Sequence, residues 1–397
     1  MGLQERLATI EQAFRRTFGD GQGLTIGRAP GRVNLIGEHT DYNDGFIFPM
    51  AIDFDIVMAA RKRSDQMVKI HAVDLGRTVE FSLMTPLTPD AEEGWSNYPK
   101  GVLWAMQQEG ARLPGLEMAF SGTIPLGSGL SSSAALEVAT AIVVQKLTGF
   151  QSALPALARL CQRAENDFVG MRCGIMDQFI SLMGERGHAL FLDCRSLSYE
   201  QIPLQLGTYK ILICQSGVKH SLVDSEYNSR REQCETGVRI LAERYPAVRA
   251  LRDVTVEMLN NCENRLSLVV YKRCLHVITE NERVLKSIQA LKAGDLVAFG
   301  ELINQSHDSL RDFYEVSCEE VDLLVELARE VPGVLGARIT GGGFGGCTVN
   351  LIRADAVRDF IGYVLSKYKE ETGIEARVYL STAAGGAELI QNGVNNN

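Results

Sequence analysis

Apolar side chains near the start of the chain recur every three or four positions. The positions are Leu3, Leu7, Ile10, Phe14 and Phe18. This spacing follows one face of an α-helix, whose repeat is 3.6 residues, and predicts an amphipathic helix over the first eighteen residues. The glycine-rich segment 19–23 predicts where this helix ends.

The following hundred residues show mostly the two-residue alternation of half-buried strands, as where Asp53 and Asp55 alternate with apolar neighbours. Strands are predicted at 46–60, 68–73, 77–83, 117–121, 188–194, 209–216, 333–340, 347–352 and 375–380. Helices are predicted at 131–147, 154–168, 176–183, 224–244, 279–293, 296–310, 319–330 and 354–371.

Strands dominate the first half of the chain and helices the second. This order predicts an α+β fold with two domains, because a doubly wound sheet needs strands and helices that alternate. The length of 397 residues, at roughly 150 residues per domain, also gives about two domains. The predicted division is 1–205 and 206–397, in the connection near 202–207.

Composition and charge exclude several classes of protein. Hydrophobic residues make up 45% and charged residues 22%, which is typical of a soluble globular protein and not of a disordered or fibrous chain. The net charge of −9 disfavours broad binding to nucleic acid. The uncharged stretch 118–135 is broken by glycine and proline, so no membrane-spanning helix is expected. Neither nucleic acid nor a membrane is a predicted partner.

The cysteine pattern predicts reduced thiols. The nine cysteines are an odd number without a C-x-x-C pair, and none of the six histidines lies near another. This spacing does not support a structural zinc site. The first six residues include charges and begin no apolar signal core. We therefore expect a cytoplasmic location.

A glycine- and serine-rich segment, 125–135, leads from a predicted strand into a predicted helix. Gly127 and Gly129 permit a tight turn and a close approach to a ligand. Ser131 to Ser133 lie at the helix N-terminus, where free amides favour an anion. A mere helix cap is the alternative, but three successive hydroxyls exceed what capping needs. The segment lacks the Gly-Lys-Ser/Thr ending of a Walker A loop. It is predicted to hold phosphate, with one hydroxyl available to magnesium.

A second glycine-rich segment, 341–346, matches G-x-G-x-x-G literally. A dinucleotide site requires a helix after this motif, whereas 347–352 has the pattern of a strand. A protein-kinase glycine loop is disfavoured because the chain contains no His-Arg-Asp or Asp-Phe-Gly sequence. Two interpretations remain, namely a wall that closely approaches a ligand or another backbone, and a plain hairpin turn.

Polar side chains are dense between positions 30 and 43. Glu38, His39 and Asp41 offer acceptors within four positions, which suits the vicinal hydroxyls of a sugar. A solvated loop is the alternative interpretation. Arg32 is either a surface charge or a group that neutralises anionic charge beside this cluster.

Two further acids and one tyrosine are candidate site residues. Glu165 lies on an otherwise apolar helical stripe, where a charge is costly unless it is paired, metal-bound or at an edge that faces water. Asp177 falls in the first turn of a predicted helix, a position that also suits a purely structural acid. Tyr227 lies on a predicted helix, where simple packing is the alternative to ligand binding.

Several segments match the motifs of one known enzyme family. The three superfamily motifs occur in order at 30–34, 125–135 and 340–347. The segment 37–43, Gly-Glu-His-Thr-Asp-Tyr-Asn, is more specific, and 173–179 and 225–231 also match. Over nearly its whole length the chain resembles the galactokinase family, within the galactose, homoserine, mevalonate and phosphomevalonate (GHMP) kinase superfamily. This resemblance implies an N-terminal domain like the second domain of ribosomal protein S5, a ferredoxin-like C-terminal domain, and a site between them.

The resemblance also implies an activity and a set of site residues. The implied reaction transfers the ATP γ-phosphoryl group to the anomeric hydroxyl of α-D-galactose, the first step of the Leloir pathway. The implied catalytic base is Asp177, with Arg32 as the partner that stabilises the transferring charge. The implied sugar-binding residues are Glu38, His39, Thr40, Asp41, Gly174 and Tyr227. The implied ATP-binding residues are Gly127, Ser128, Gly129, Leu130, Ser131, Ser132 and Ser133. The implied magnesium ligands are Ser133 and Glu165.

Two alternatives remain open beside this activity. A related kinase could act on another sugar such as N-acetylgalactosamine, which the intact segment 38–43 disfavours. A non-catalytic galactose sensor is the other, and the retained Glu165 and Asp177 favour an enzyme over it. The sequence points to no particular protein partner.

Overall fold

The computed structural model describes residues 2–20, 23–125, 127–218 and 223–390. The strands in these ranges are β1 Thr25–Asn34, β2 Phe46–Ile47, β3 Pro49–Lys62, β4 Met67–Ala72, β5 Arg77–Ser82, β6 Leu116–Gly122, β7 His188–Asp193, β8 Tyr199–Pro203, β9 Tyr209–Gln215, β10 Val334–Thr340, β11 Cys347–Arg353, β12 Arg377–Ser381 and β13 Glu388–Ile390. The α-helices are α1 Leu3–Phe18, α2 Asn97–Gln108, α3 Ser132–Thr148, α4 Leu154–Arg163, α5 Met176–Met183, α6 Val223–Arg244, α7 Val256–Asn260, α8 Leu268–Lys292, α9 Leu296–Ser309, α10 Glu319–Glu330 and α11 Val357–Thr372.

The first half of the chain supplies five strands of a six-stranded mixed sheet in the order β13-β1-β3-β6-β4-β5, and β13 from the second half supplies the sixth. Helix α1 buries its predicted apolar face, including Ile10 and Phe14, against β1, β3 and β6. Helix α3 packs against β1 and β3, and its residues from 134 to 144 are all buried except the partly buried Ile142. A Cβ on Gly27 would lie 2.8 Å from the Val143 side chain, so glycine permits the close approach of helix and sheet.

The second half contains a four-stranded antiparallel sheet in the order β10-β11-β9-β12. Counted from its first strand, this order is 2-3-1-4, with helices between the first and second strands and between the third and fourth. This is the split βαβ arrangement of the ferredoxin-like fold, and it confirms the expected α+β class. Helices α10 and α11 pack against this sheet through one apolar cluster, which includes Leu324 and Phe360.

The second half of the chain contacts the first half at its strands β13 and β10, among other places. Strand β13 pairs with β1 at the edge of the first sheet, after the chain has completed the second sheet. The Thr340 hydroxyl at the end of β10 hydrogen bonds with the backbone N–H and C=O of Asn34 at the end of β1. Among the described residues, no helix combines the length and apolar character needed to cross a membrane.

Most predicted elements are present, but two that frame the site were missed. Helix α2 contains Pro99 and Gly101, which argue against a helix; Pro99 is tolerated because it lies in the first turn. Gly101 allows close packing, since a Cβ there would lie 3.2 Å from the Ala164 carbonyl oxygen. Strand β1 is not among the predicted strands, and its second half falls in the polar segment 30–43; its register shifts between Pro30 and Arg32.

Three boundaries also differ from the prediction. The helix predicted to reach residue 168 is α-helical only to Arg163 and then forms a π-helical turn over Ala164–Val169. Helix α8 begins at Leu268, eleven residues before the predicted start at 279. Helix α11 begins at Val357 because a short 3₁₀ turn occupies the three positions before it. The amphipathic period therefore located these helices but not their ends.

Candidate active site

A cavity of about 430 Å³ opens between the two glycine-rich segments. Its wall brings together most of the site residues that the resemblance implies. Those on the wall are Arg32, Glu38, His39, Asp41, Gly127, Gly129, Leu130, Ser131, Ser132, Ser133, Glu165, Gly174, Asp177 and Tyr227. The second glycine-rich segment adds Gly341 and Gly342 to the same wall.

Two of the implied residues do not line this cavity. Thr40 is fully buried, and its hydroxyl donates to the carbonyl oxygens of Gly37 and Phe46 at 2.9 and 2.7 Å. The Ser128 hydroxyl donates to the Pro125 carbonyl oxygen at 2.6 Å. Both hydroxyls therefore hold the shape of a loop. The binding roles implied for Thr40 and Ser128 stay predictions.

The first glycine-rich segment has the backbone geometry of an anion site. Gly127, Gly129 and Ser131 have φ angles of 66°, 70° and 63°, and the residues between them have negative φ. Such alternation turns successive backbone N–H groups toward one side and forms a nest for an anion. Ser131 precedes α3, yet its side chain makes no capping hydrogen bond to that helix. The first-turn amides of α3 are thus left for a ligand, which excludes the simple capping interpretation for Ser131.

Arg32, Asp177 and Ser131 form one hydrogen-bonded group beside this loop. The Arg32 guanidinium donates through Nε and Nη2 to the two carboxylate oxygens of Asp177 at 2.7 and 2.8 Å. Its Nη1 donates to the Gly129 carbonyl oxygen at 2.7 Å, and the Ser131 hydroxyl donates to Asp177. Burial alone would lower the pKa of Arg32, but the charges of Asp177 and Glu38 raise it. The arginine therefore stays charged and fixes the orientation of the carboxylate.

Glu165 is buried in the π-helical turn and lies beside Ser133. Among the described residues no cationic side chain pairs with it; the Gln178 amide donates to its Oε2 at 2.6 Å. Burial, followed by repulsion from Asp177, raises the pKa of Glu165 to about 7, although hydrogen bonds from Cys173, Ser133 and Gln178 oppose the rise. The burial of Glu165 excludes a water-facing edge, which was one interpretation of its place on the apolar stripe.

Glu137 and Gln178 belong to this site but were not singled out from the sequence. Both are fully buried, and the Gln178 amide also donates to Glu137 Oε2 at 3.0 Å. Burial, followed by the charge of Glu165, raises the pKa of Glu137 well above its usual value. The available signal was Glu137 itself, the lone charged residue within the apolar run of α3.

Asp41 is held by the backbone of two segments. Its carboxylate accepts hydrogen bonds from the N–H groups of Tyr42 at 3.0 Å and Met176 at 3.4 Å. A Cβ on Gly174 would lie 1.8 Å from this carboxylate, so only glycine fits there. Burial, followed by repulsion from Asp177, raises the pKa of Asp41 to about 6.

His39 stands in a buried aromatic group with one nitrogen unpaired. Its backbone has a φ of 62°, and Nδ1 lies 2.8 Å from the Tyr42 hydroxyl, which lies 2.7 Å from the Tyr314 hydroxyl. Nε2 is buried without a hydrogen-bond partner among the described residues. Burial lowers the pKa of His39 well below its usual value, so the imidazole is neutral at pH 7. A buried nitrogen on a cavity wall is suited to a ligand hydroxyl.

The second glycine-rich segment is a hairpin turn that also touches the first. Thr340 pairs with Cys347 across the hairpin of β10 and β11. A Cβ on Gly341 would lie 2.8 Å from the Gly129 carbonyl oxygen, and one on Gly346 would lie 3.1 Å from that of Ser128. The segment is therefore a hairpin turn that closely approaches another backbone, which confirms the wall interpretation and excludes a plain turn without such contacts.

Known proteins match the chain over most of its length. The galactokinase galactose-binding signature matches residues 12–62, the GHMP kinase N-terminal domain 97–185, and the GHMP kinase C-terminal domain 287–369. The galactokinase of Chloroflexus aggregans is 46% identical over 384 residues, covering 97% of this chain and 98% of that protein. Human galactokinase is 45% identical over 395 residues, covering 98% of this chain and 97% of that protein.

Solved structures agree with these matches. Lactococcus lactis galactokinase complexed with galactose superimposes with a TM-score of 0.93 at 37% identity, covering 96% of this chain and 99% of that one. Methanococcus jannaschii mevalonate kinase shares the fold, with a TM-score of 0.66 at 18% identity over 92% of this chain and 100% of that one. By sequence, fold and the set of residues around its cavity, the chain belongs to the galactokinase family of the GHMP kinases.

Proposed function

We propose that this chain transfers the γ-phosphoryl group of ATP to the anomeric hydroxyl of α-D-galactose, giving α-D-galactose 1-phosphate and ADP. The observation that carries the proposal is the position of Asp177. Its carboxylate shares one cavity with the anion-binding loop 127–133 and with the acceptors of Glu38, His39 and Asp41. Phosphoryl transfer depends mainly on positioning and charge stabilisation, and the cavity offers groups for both.

Asp177 and Arg32 have complementary roles in this proposal. As the sugar oxygen bonds to the γ-phosphorus and the bond from phosphorus to the ADP oxygen breaks, Asp177 accepts the proton of the hydroxyl. Arg32 orients the Asp177 carboxylate through two hydrogen bonds. Its positive charge also stabilises the negative charge of the transferring group.

Ser133 and Glu165 fit a magnesium site. They offer a hydroxyl and a carboxylate side by side, and Glu165 has no cationic partner among the described residues. In the described ranges there is no group of three or more His, Cys, Asp or Glu residues that could hold a metal ion. Two protein ligands leave room for phosphate oxygens and water, which is how proteins commonly bind Mg²⁺. When bound, the ion would neutralise charge on the phosphates.

The galactose ligands in this proposal lie on the cavity wall. Asp41 offers its carboxylate and His39 its unpartnered Nε2. Gly174 gives Asp41 the space it occupies, and Tyr227 adds an aromatic face 5.4 Å from the His39 ring. That a galactokinase with the same fold was crystallised with galactose supports this assignment.

We further propose the domain division 1–205 and 206–397, with a cytoplasmic location. Strands β1 to β6 precede the boundary and β9 to β12 follow it, while β13 returns to the first sheet. All nine cysteines are free thiols, which suits a reducing compartment.

The decisive experiment is ADP release in the presence of ATP and Mg²⁺ with D-galactose, D-glucose or N-acetyl-D-galactosamine. We expect turnover with galactose and little with the other two sugars. Faster release with N-acetylgalactosamine would identify the related sugar kinase instead. Galactose binding by calorimetry without ADP release would favour the non-catalytic sensor.

A further inference from the structure

The two oxygens of the Glu38 carboxylate have different surroundings. Oε1 accepts hydrogen bonds from the Arg338 guanidinium and the Gly341 N–H, both at 2.7 Å, and from the Thr340 hydroxyl at 3.3 Å. Among the described residues no donor contacts Oε2, and Glu38 lines the cavity. One oxygen is therefore held by the protein, which leaves the other for a ligand.

Arg338 on β10 is the charged partner in this arrangement. It is fully buried, and its Nη2 also donates to the Asn34 carbonyl oxygen at 2.7 Å, while Nη1 donates to the Ser306 hydroxyl at 3.3 Å. A buried guanidinium is stable only with partners of this kind. Nη2 thus holds both the end of β1 and the Glu38 side chain, while Nη1 fixes the plane of the guanidinium on Ser306 of α9. The single nitrogen of a lysine cannot occupy both positions of this planar fork.

A second buried carboxylate fixes the backbone beneath Glu38. Glu280 Oε1 on α8 accepts hydrogen bonds from the Gly37 N–H at 2.9 Å, the Glu38 N–H at 3.4 Å and the Ser306 hydroxyl at 2.7 Å. Its Oε2 pairs with Arg283 at 2.7 Å. The backbone and the side chain of Glu38 are thus both positioned by the second half of the chain.

We propose that Arg338 is a positioning residue for sugar recognition. It holds Glu38 Oε1 so that Oε2 accepts a hydrogen bond from one hydroxyl of the hexose, and β10 thereby contributes to specificity without touching the sugar. The inference rests on the proposed function, because it takes the hexose to occupy this part of the cavity. It also explains why an arginine is buried behind the cavity wall.

The test is galactose affinity measured by titration calorimetry without nucleotide, for wild type and Arg338→Lys. Lysine keeps the charge but not the fork. We expect the Kd for D-galactose to rise about ten- to a hundredfold, because the sugar loses one charge-assisted hydrogen bond. The kcat at saturating galactose should change little. The same comparison is made with 2-, 3-, 4- and 6-deoxygalactose. For one of them Arg338→Lys should cause almost no loss of affinity, namely the sugar that lacks the hydroxyl bound by Glu38.

Arg273→Lys is the matched control. Arg273 is also a buried arginine that donates to a carbonyl oxygen, an amide and a carboxylate, those of Phe313, Gln233 and Glu315. None of these four residues lines the cavity. We expect its substitution to lower the free energy of unfolding without changing the galactose Kd.

Two results would overturn the inference. One is an unchanged galactose Kd in Arg338→Lys, and the other is an equal loss for every deoxygalactose, which would indicate general loosening. If Arg338→Lys does not fold, Glu38→Gln is compared with the double variant Glu38→Gln/Arg338→Met. We expect less than about a twofold further loss of affinity, because the arginine acts through Glu38; a larger loss overturns the inference. Failure of wild type to bind galactose would instead overturn the proposed function.

Discussion

The two sides of the cavity differ in how many of their polar groups have a hydrogen-bond or ion-pair partner within the protein. On the sugar side, formed by 37–43 with Gly174 and Tyr227, Glu38 has three donors on one oxygen and Asp41 accepts two backbone hydrogen bonds. On the phosphate side, formed by 127–133 with Glu165, the first-turn amides are left uncapped by Ser131 and the acid has no cationic partner among the described residues. In the proposed function the sugar side is therefore organised before a ligand arrives, whereas the phosphate side would be completed by the charges of a bound nucleotide and its metal.

Asp177→Asn should have the largest effect on turnover. In the proposed function Asp177 acts on the reacting hydroxyl, which lies between the sugar side and the phosphate side. We expect kcat to fall about a thousandfold or more, since asparagine cannot take the proton, while the galactose Kd stays near the wild-type value. Single-turnover ADP formation and calorimetry measure the two quantities. Asp193→Asn is a matched control, because Asp193 is also paired to an arginine, Arg252, away from the cavity. Turnover like that of wild type in Asp177→Asn would remove its assigned role.

Glu165→Gln and Ser133→Ala test the phosphate side. We expect the Mg²⁺ concentration for half-maximal ADP release to rise about tenfold or more, because each change removes one proposed ligand oxygen. Galactose affinity should not change, since neither group faces the sugar side. The control is Glu117→Gln, whose carboxylate pairs with Arg61 and Arg63 on the outside of the first sheet. An unchanged magnesium titration in both site variants would show that the metal is held elsewhere.

The pH dependence of sugar binding tests the sugar side with a smaller effect. Burial and the neighbouring Asp177 raise the pKa of Asp41 to about 6, and the proposal requires its ionised form as an acceptor. As pH falls through 6, protonation should therefore weaken binding, with the galactose Kd rising about tenfold per pH unit below 6 and levelling above 7. Calorimetry from pH 5 to 8 measures this, and Asp41→Asn should bind weakly without that slope. A flat wild-type profile would contradict the assignment of Asp41.

The sequence predicted the turn of the first glycine-rich segment well because the signals for it are local. Two glycines followed by the serine run 131–133 mark the passage from a strand to a helix, and the structure adds the alternating φ angles at Gly127, Gly129 and Ser131. The apolar stripe around Glu165 is also a local signal, and a buried carboxylate was one of the two interpretations of it. For the second glycine-rich segment the sequence predicted a strand directly after it, which argues against a dinucleotide site. The structure confirms that strand as β11.

What the sequence did not predict depends on contacts between distant segments. Arg338, Glu280 and Tyr314 approach the 37–43 segment only after the second half of the chain has folded around it. Thr40 belongs to the family motif, yet whether a motif hydroxyl faces a ligand or a carbonyl oxygen is decided by tertiary structure. Helix α2 was missed for the same reason, because burial against the π-helical turn outweighs the weak helical propensity of glycine.

The edge strand β13 has a consequence for how the protein is made on the ribosome. Its residues 388–390 pair with residues 26–28 of β1, and Glu388 forms an ion pair with Arg28. During synthesis the outer edge of β1 consequently stays open until nearly four hundred amino acids have been joined. An exposed strand edge invites pairing with other nascent chains. Truncation before residue 388 should leave that edge permanently uncovered and favour aggregation over native assembly.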